Sequence, residues 1–233
     1  RRILDLLLAQ ISPAYYFTVQ RYARVLLQRN RLLRTRGGGL EVWDEQIALL
    51  GAAVTVRRGE VVTRLAAAAD RIFNALTHGQ ERLNLAYAPS LGGDGEGAMA
   101  SWAREALLRR RGEEVARGAT VVGPHRDDLL LHVNGRELRT FGSRGQQLMA
   151  MLAVRLAERH VLLEETGEEP VLMMDDVLLT LDEARQAYLL EGLRDVQVLM
   201  TATTTATLHA IPPGAALFRV TGGRVASETA YLA

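Results

Sequence analysis

The sequence predicts an α/β fold preceded by a helical lobe, on three observations. Residues 41–80 contain no proline, and Trp43, Ile47, Leu50, Val54, Val61, Leu65, Ala68, Ile72 and Leu76 recur near helical spacing. Asn134-Gly135 stands between two strand-like runs, and both residues tolerate positive φ, which predicts a hairpin turn. After that turn, helical and strand-like segments alternate, the pattern of a sheet covered by helices. The expected division is a helical lobe over 1–112 and an α/β lobe over 113–233.

Composition allows a sizeable core and excludes some chemistries. Of the 233 residues, 48% are hydrophobic, so wholesale disorder is ruled out. The absence of cysteine removes disulfides and thiolate metal sites. No apolar run reaches the roughly 18 residues that a membrane span needs, so no membrane partner is expected. The opening "RRILDLLLAQ" lacks the small-residue cleavage site of a signal peptide and lacks Met, so the chain is expected to begin partway through a longer protein of the cytoplasm. Net charge is only +1, but it is unevenly placed: Asp5 is the single acid in residues 1–36, which carry many arginines. That asymmetry hints at a polyanionic partner. Every basic side chain apart from histidine is arginine; the chain has no lysine.

In chain order, a helix follows Pro13, with Tyr22, Val25, Leu26, Leu32 and Leu33 on one stripe and Arg21, Arg24 and Arg31 on another. The glycines of "RTRGGG" end it. One long helix or two then span 41–80, with Gly51 and Gly59 arguing against continuity. A strand at 83–89, a loop at 91–97 and a helix at 101–117 come next. Strands are expected at 119–123, 129–133 and 136–141, and a helix from 146 to about 165. A strand at 170–175, a helix at 182–194, a strand at 196–201, a short helix near 205–210 and two closing strands complete the reading.

Two segments carry chemistry. In "FGSRGQQLMAML" (141–152) Ser143 is placed as a helix N-cap, with glycines on either side that let the backbone turn. A helix N-terminus with free N–H groups binds anions, although a plain cap before a core helix would look the same. In "VLMMDD" (171–176) an apolar strand ends in Asp175 and Asp176. Like charges about 4 Å apart repel by roughly 4 kcal/mol at an effective dielectric near 20, so the pair needs a compensating partner or full solvation. At the C-terminal edge of an α/β sheet the common neutraliser is Mg²⁺ with phosphates; one carboxylate would hold the ion and its neighbour polarise a water. Solvated turn residues are the plainer alternative.

The order of these pieces, with "LTLDEARQ" (179–186) and the threonines after the next strand, resembles the second half of an ABC-type ATPase head. Within that superfamily the chain resembles the RecF family. "GPHRDDL" stands at 123–129, "NG" at 134–135, "FGSRGQQ" at 141–147, "LAVRLAE" at 152–158 and "LMMDDVL" at 172–178, with "RRILD" at 1–5 and "YARVLLQRNRLL" at 22–33 upstream. The resemblance implies an ABC-type P-loop NTPase head with an inserted helical lobe. It implies Asp175 as the Walker B Mg²⁺ ligand and Asp176 as the catalytic acid. Ser143, Gly145 and Gln146 would form the signature that caps the γ-phosphate of ATP held by the opposite protomer, with Thr201 as a further phosphate contact. It implies a slow, DNA-dependent ATPase that dimerises on ATP, binds double-stranded or gapped DNA and, with RecO and RecR, promotes RecA loading in repair, recombination and replication.

Three departures qualify the match. A Walker A loop needs G-x-x-x-x-G-K-[ST], and "GGDGEGAMAS" (92–101) fails it in a chain without lysine. The family's Walker A segment is expected ahead of Arg1, and this chain alone is expected to be inactive. The D-loop reads Leu179-Thr180-Leu181-Asp182, without the family's serine. The switch strand ends Thr201-Ala202-Thr203, where related chains often carry three threonines. Two rival readings stand beside this one: a two-ion nuclease or phosphatase using Asp175, Asp176 and Asp182, and a non-catalytic interaction module. For DNA, exposed Arg21, Arg24 and Arg31 suit sequence-neutral phosphate contacts, and a merely solvated helix face is the alternative.

Overall fold

Proline cannot donate the hydrogen bond that would continue a preceding helix, and the chain turns at Pro13. In the computed structural model, which describes residues 1–35, 38–203 and 215–228, α1 (Arg2–Ile11) stops at Ser12. Helix α2 (Pro13–Thr35) then starts on the proline, at the position where a missing N–H costs nothing. Helix α3 (Leu40–Leu76) runs unbroken for 37 residues through Gly51 and Gly59. Gly51 is explained by packing: a Cβ there would sit 3.2 Å from Pro124 Cδ and 3.5 Å from the Tyr22 ring, so glycine lets three segments close together. The core at this junction comprises Tyr22, Val25, Ile47, Ala48, Leu91, Ala103, Leu107 and Val122, drawn from α2, α3, α4 (Gly95–Arg109) and the loops beside them. Helix α5 (Arg111–Arg117) follows after a break at Arg110. The expected 91–97 loop is thus helical from Gly95.

Strand β1 (Leu83–Ala88) pairs antiparallel with β2 (Asp128–Val133), from Leu83 opposite Val133 to Ala88 opposite Asp128. The Asn134-Gly135 turn forms as expected, with φ of 49° and 79°. It leads to a β3 of only two residues (Arg136–Glu137), after which the chain coils into α6 (Leu138–Phe141) rather than continuing as a strand. Helix α7 (Arg144–Thr166) follows.

The expected strand at 119–123 does not form. Its backbone groups bond to side chains instead of to a neighbouring strand: Thr120 N–H to Asn30 Oδ1 (2.8 Å), Val121 N–H to Glu114 Oε1 (2.9 Å) and Gly123 N–H to Ser90 Oγ (3.0 Å). A β-branched apolar run predicts a strand only when a partner strand is available, and here buried polar side chains take that place.

Contacts divide the chain into two compact units, Arg1–Glu168 and Glu169–Ala233. In the first unit β1 and α7 pack on α3 and β2 pairs with β1, which keeps the sheet with the helices. In the second unit β4 (Leu172–Asp175) and β5 (Val198–Thr201) are parallel neighbours, with Leu172 opposite Val198 and Asp175 opposite Thr201. They are connected through α8 (Glu183–Glu191). An antiparallel hairpin, β6 (Leu217–Thr221) and β7 (Arg224–Glu228), turns on Gly222 and Gly223, both at positive φ. The helix expected near 205–210 lies outside the described residues.

Buried hydrogen bonds set one solution property. His125 Nε2 lies 3.0 Å from the Thr120 carbonyl, which can only accept, so Nε2 carries the proton and Nδ1 accepts from the Tyr22 hydroxyl at 2.6 Å. Burial, reinforced by nearby Arg126, holds the imidazole pKa below its ordinary 6.5. The unfolded chain therefore takes up this proton first as pH falls, and the stability that neutral His125 supports is lost below about pH 6.5. Denaturant midpoints are expected to drop between pH 7.5 and 5.5, and to drop less in His125→Asn. An equal drop in both would remove His125 as the cause.

Candidate functional site

Strand β4 carries the two acids to its C-terminal end, and β5 answers them with threonines. In register, Thr201 faces Asp175. The Thr201 hydroxyl donates to Asp175 Oδ1 and accepts the Asp176 N–H at 3.1 Å. Asp176 Oδ1 accepts from both the N–H (3.4 Å) and the hydroxyl (3.3 Å) of Thr203. Two like charges are thus each given donors from the neighbouring strand, which offsets part of their repulsion while Asp175 stays exposed and Asp176 half-buried. Asp176 adopts φ +54°, the left-handed region that Asp tolerates better than most residues. That turn sends its carboxylate in a different direction from that of Asp175.

The donor set fits Mg²⁺. It is all oxygen, at least partly open to solvent, and supplies one or two carboxylates, which leaves the remaining positions for phosphate oxygens and water. A two-ion site does not assemble here. Asp182 is spent as the N-cap of α8, where its side chain accepts the Arg185 N–H at 3.0 Å and pairs with the Arg185 guanidinium. Among the described residues no three His, Asp or Glu side chains come together to hold an ion. In the divergent D-loop segment Leu181 is buried beside a 3-10 turn (Leu178–Thr180), an apolar anchor ahead of the Asp182 cap.

In the first unit Ser143 caps α7 as expected, in a reciprocal capping box. Its hydroxyl accepts the Gln146 N–H at 3.2 Å, and Gln146 Oε1 accepts the Ser143 N–H at 2.9 Å. Ser143 and Gly145 are exposed, and no acid stands in the first turn of α7. The far end of the Gln146 amide donates to Glu81, a partner that no local pattern announces.

The 123–129 segment, so prominent in the sequence, is an internal hub. Asp127 is fully buried and accepts from the Tyr87 hydroxyl, the Ser90 N–H (2.7 Å) and Arg58 (3.4 Å). Arg58 also donates to the Pro124 carbonyl (2.7 Å) and to both oxygens of Asp5. Burial first, then the bond to Asp127, push the Tyr87 hydroxyl pKa up, so it remains a donor. Gly123 has φ +129°, and a Cβ there would lie 2.5 Å from the Tyr22 hydroxyl, so only glycine fits. Sequence reasoning missed this hub because its members are scattered from position 5 to position 127.

Arg21, Arg24 and Arg31 are exposed on α2, and none has an ion-pair partner among the described residues. Arg29, counted with them in the basic opening, is instead completely buried.

A mixed α/β framework with a parallel strand pair that ends in paired acids and threonines is the fold of an ABC-type ATPase head. Comparison with known proteins shows which of them the chain is similar to. The chain is 36% identical over 97% of its length to the DNA replication and repair protein RecF of Alkaliphilus oremlandii and 42% identical over 97% to that of Symbiobacterium thermophilum. A solved structure of the recombination mediator protein RecF-ATP in the RecFOR pathway superposes with a TM-score of 0.86 over 98% of this chain, at 29% identity. Over nearly its whole length the chain is similar to RecF proteins. It spans 64% and 63% of the two curated relatives and 62% of the solved chain. No protein-family model matches it. No helix among the described residues is long and apolar enough to cross a membrane.

Proposed function

We propose that this sequence supplies the signature, Walker B and D-loop portions of a RecF-type DNA-repair ATPase of the cytoplasm. In that reading Asp175 holds Mg²⁺, and Asp176 takes a proton from the attacking water. Thr201 orders both acids, while Ser143, Gly145 and Gln146 present donors to the γ-phosphate of ATP held by a second copy. Bound Mg²⁺ supplies charge neutralisation of the phosphates. The protein dimerises on ATP, contacts double-stranded or gapped DNA through Arg21, Arg24 and Arg31, and with RecO and RecR promotes RecA loading. The observation that carries the reading is the Asp175–Thr201 register, which sets two adjacent carboxylates, one exposed and one half-buried, and an ordering hydroxyl at the C-terminal edge of a parallel pair. Residues 1–233 contain no lysine, so this chain by itself does not turn ATP over.

The test uses a RecF-length protein containing this sequence. Ser143→Ala is expected to abolish ATP-driven dimerisation in sedimentation runs while the monomer still binds ATP; an unimpaired dimer would refute the trans role. In the same protein Arg21→Glu with Arg24→Glu is expected to weaken duplex binding and to lower the slope of log K against log salt by about 2, close to one for each phosphate no longer neutralised. An unchanged slope would place the DNA contact elsewhere.

A further inference from the structure

We propose that Glu81 is a positioning residue for the serine-led corner of α7, holding that corner in the state that receives the phosphate of a second copy. The proposal rests on the function proposed above and adds a residue that no motif contains. Gln146 has an amide whose two ends are nearly the same shape, so its orientation must be imposed from outside. Glu81, an acceptor only when ionised, takes the bond from Gln146 Nε2. That choice turns Oε1 towards the Ser143 N–H, which it accepts at 2.9 Å. The Ser143 hydroxyl then accepts the Gln146 N–H at 3.2 Å and keeps its own proton for an outside acceptor. A flipped amide would set an NH₂ group against the Ser143 N–H, and the capping box would open.

Glu81 is itself held. Its carbonyl accepts from Asn74 Nδ2 at 2.9 Å, at the end of α3. The next N–H, of Arg82, bonds to Asn134 Oδ1 at 2.9 Å in the β2–β3 turn, and the Leu83 N–H bonds to Asp70 Oδ1 at 3.0 Å. The carboxylate is therefore delivered from a turn tied to α3 and to the sheet, and it transmits their position to the first turn of α7. A long helix, a hairpin and the signature corner share one hydrogen-bonded junction.

The experiment measures ATP-driven dimerisation of the RecF-length protein with a non-hydrolysable ATP analogue, beside nucleotide affinity of the monomer and melting temperature. Glu81→Ala is expected to weaken dimerisation about tenfold, the scale of one charge-assisted hydrogen bond, and to leave nucleotide affinity unchanged. Glu81→Gln, whose carbonyl can accept the same bond, is expected to restore it. In a Gln146→Leu background Glu81→Ala is expected to add nothing, which a general loss of stability would not reproduce. Dimerisation by Glu81→Ala equal to or tighter than the parent would overturn the proposal, as would a failure of Glu81→Gln to restore it. Ser143→Ala separates the two levels. If it leaves the dimer intact, the trans reading of the corner is lost; if it breaks the dimer and Glu81→Ala does not, only the role of Glu81 falls.

Discussion

Arg29→Ala is expected to destabilise the protein by about 3–5 kcal/mol, the cost of leaving a buried charge without its partner. The guanidinium is fully buried and uses all three nitrogens: Nε to Asp44 Oδ1 at 2.7 Å, Nη2 to Glu114 Oε2 at 2.6 Å and Nη1 to the Thr120 hydroxyl at 2.8 Å. The partners come from α3, from α5 and from the loop after α5, so one side chain on α2 joins three other segments. Asp44 would keep Arg111 after the substitution, but Glu114, also fully buried, would keep only the Val121 N–H at 2.9 Å. With total stabilities of domains near 5–15 kcal/mol, the variant stands close to unfolding under ordinary conditions. Urea unfolding of residues 1–233 measures the loss. The double substitution Arg29→Met with Glu114→Gln tests the cause, because removing the stranded charge is expected to recover much of the stability. A double variant no better than Arg29→Ala would mean that packing, not charge, sets the cost.

Arg29 also shows where sequence reading stops. Counted by composition it belongs with Arg21, Arg24 and Arg31, yet it faces inward, where the acids that receive it are Asp44 and Glu114, 15 and 85 positions away. Features coded within a few residues were legible. The cap of α7 rests on Ser143 and Gln146 three positions apart, the hairpin turn on two adjacent residues, and the acid pair on the end of its own strand. Features that depend on distant partners were not. Residues 119–123 are apolar enough for a strand but lie against Asn30, Ser90 and Glu114. Gly51 looks like a helix breaker and is instead the contact that lets α3 meet Tyr22 and Pro124. The hub around Asp127 and Arg58 joins segments far apart in the chain and has no local signature. Resemblance to a family marked its loop as notable, and only the structure gives the physical reason, a buried carboxylate fixed on every side.

Asp176→Asn in a RecF-length protein is expected to lower ATP turnover by roughly 10²- to 10⁴-fold, the usual contribution of a positioned general base, with ATP binding and ATP-driven dimerisation retained. The substitution is clean for a structural reason. Asp176 sits at φ +54°, and asparagine accepts that backbone conformation about as readily as aspartate. The carbonyl oxygen of the introduced amide can take the two Thr203 bonds now made to Oδ1. The amide nitrogen then replaces Oδ2, which accepts no hydrogen bond among the described residues, and it cannot accept a proton from water. Thr203→Ala should have a much smaller effect, because it removes one donor to a carboxylate that keeps the Thr203 N–H and is only half-buried. Single-turnover measurements at saturating ATP and Mg²⁺ isolate the chemical step from assembly. Turnover by Asp176→Asn within a few-fold of the parent would assign proton acceptance to another group and leave Asp176 as a neighbour that only shapes the field around Asp175.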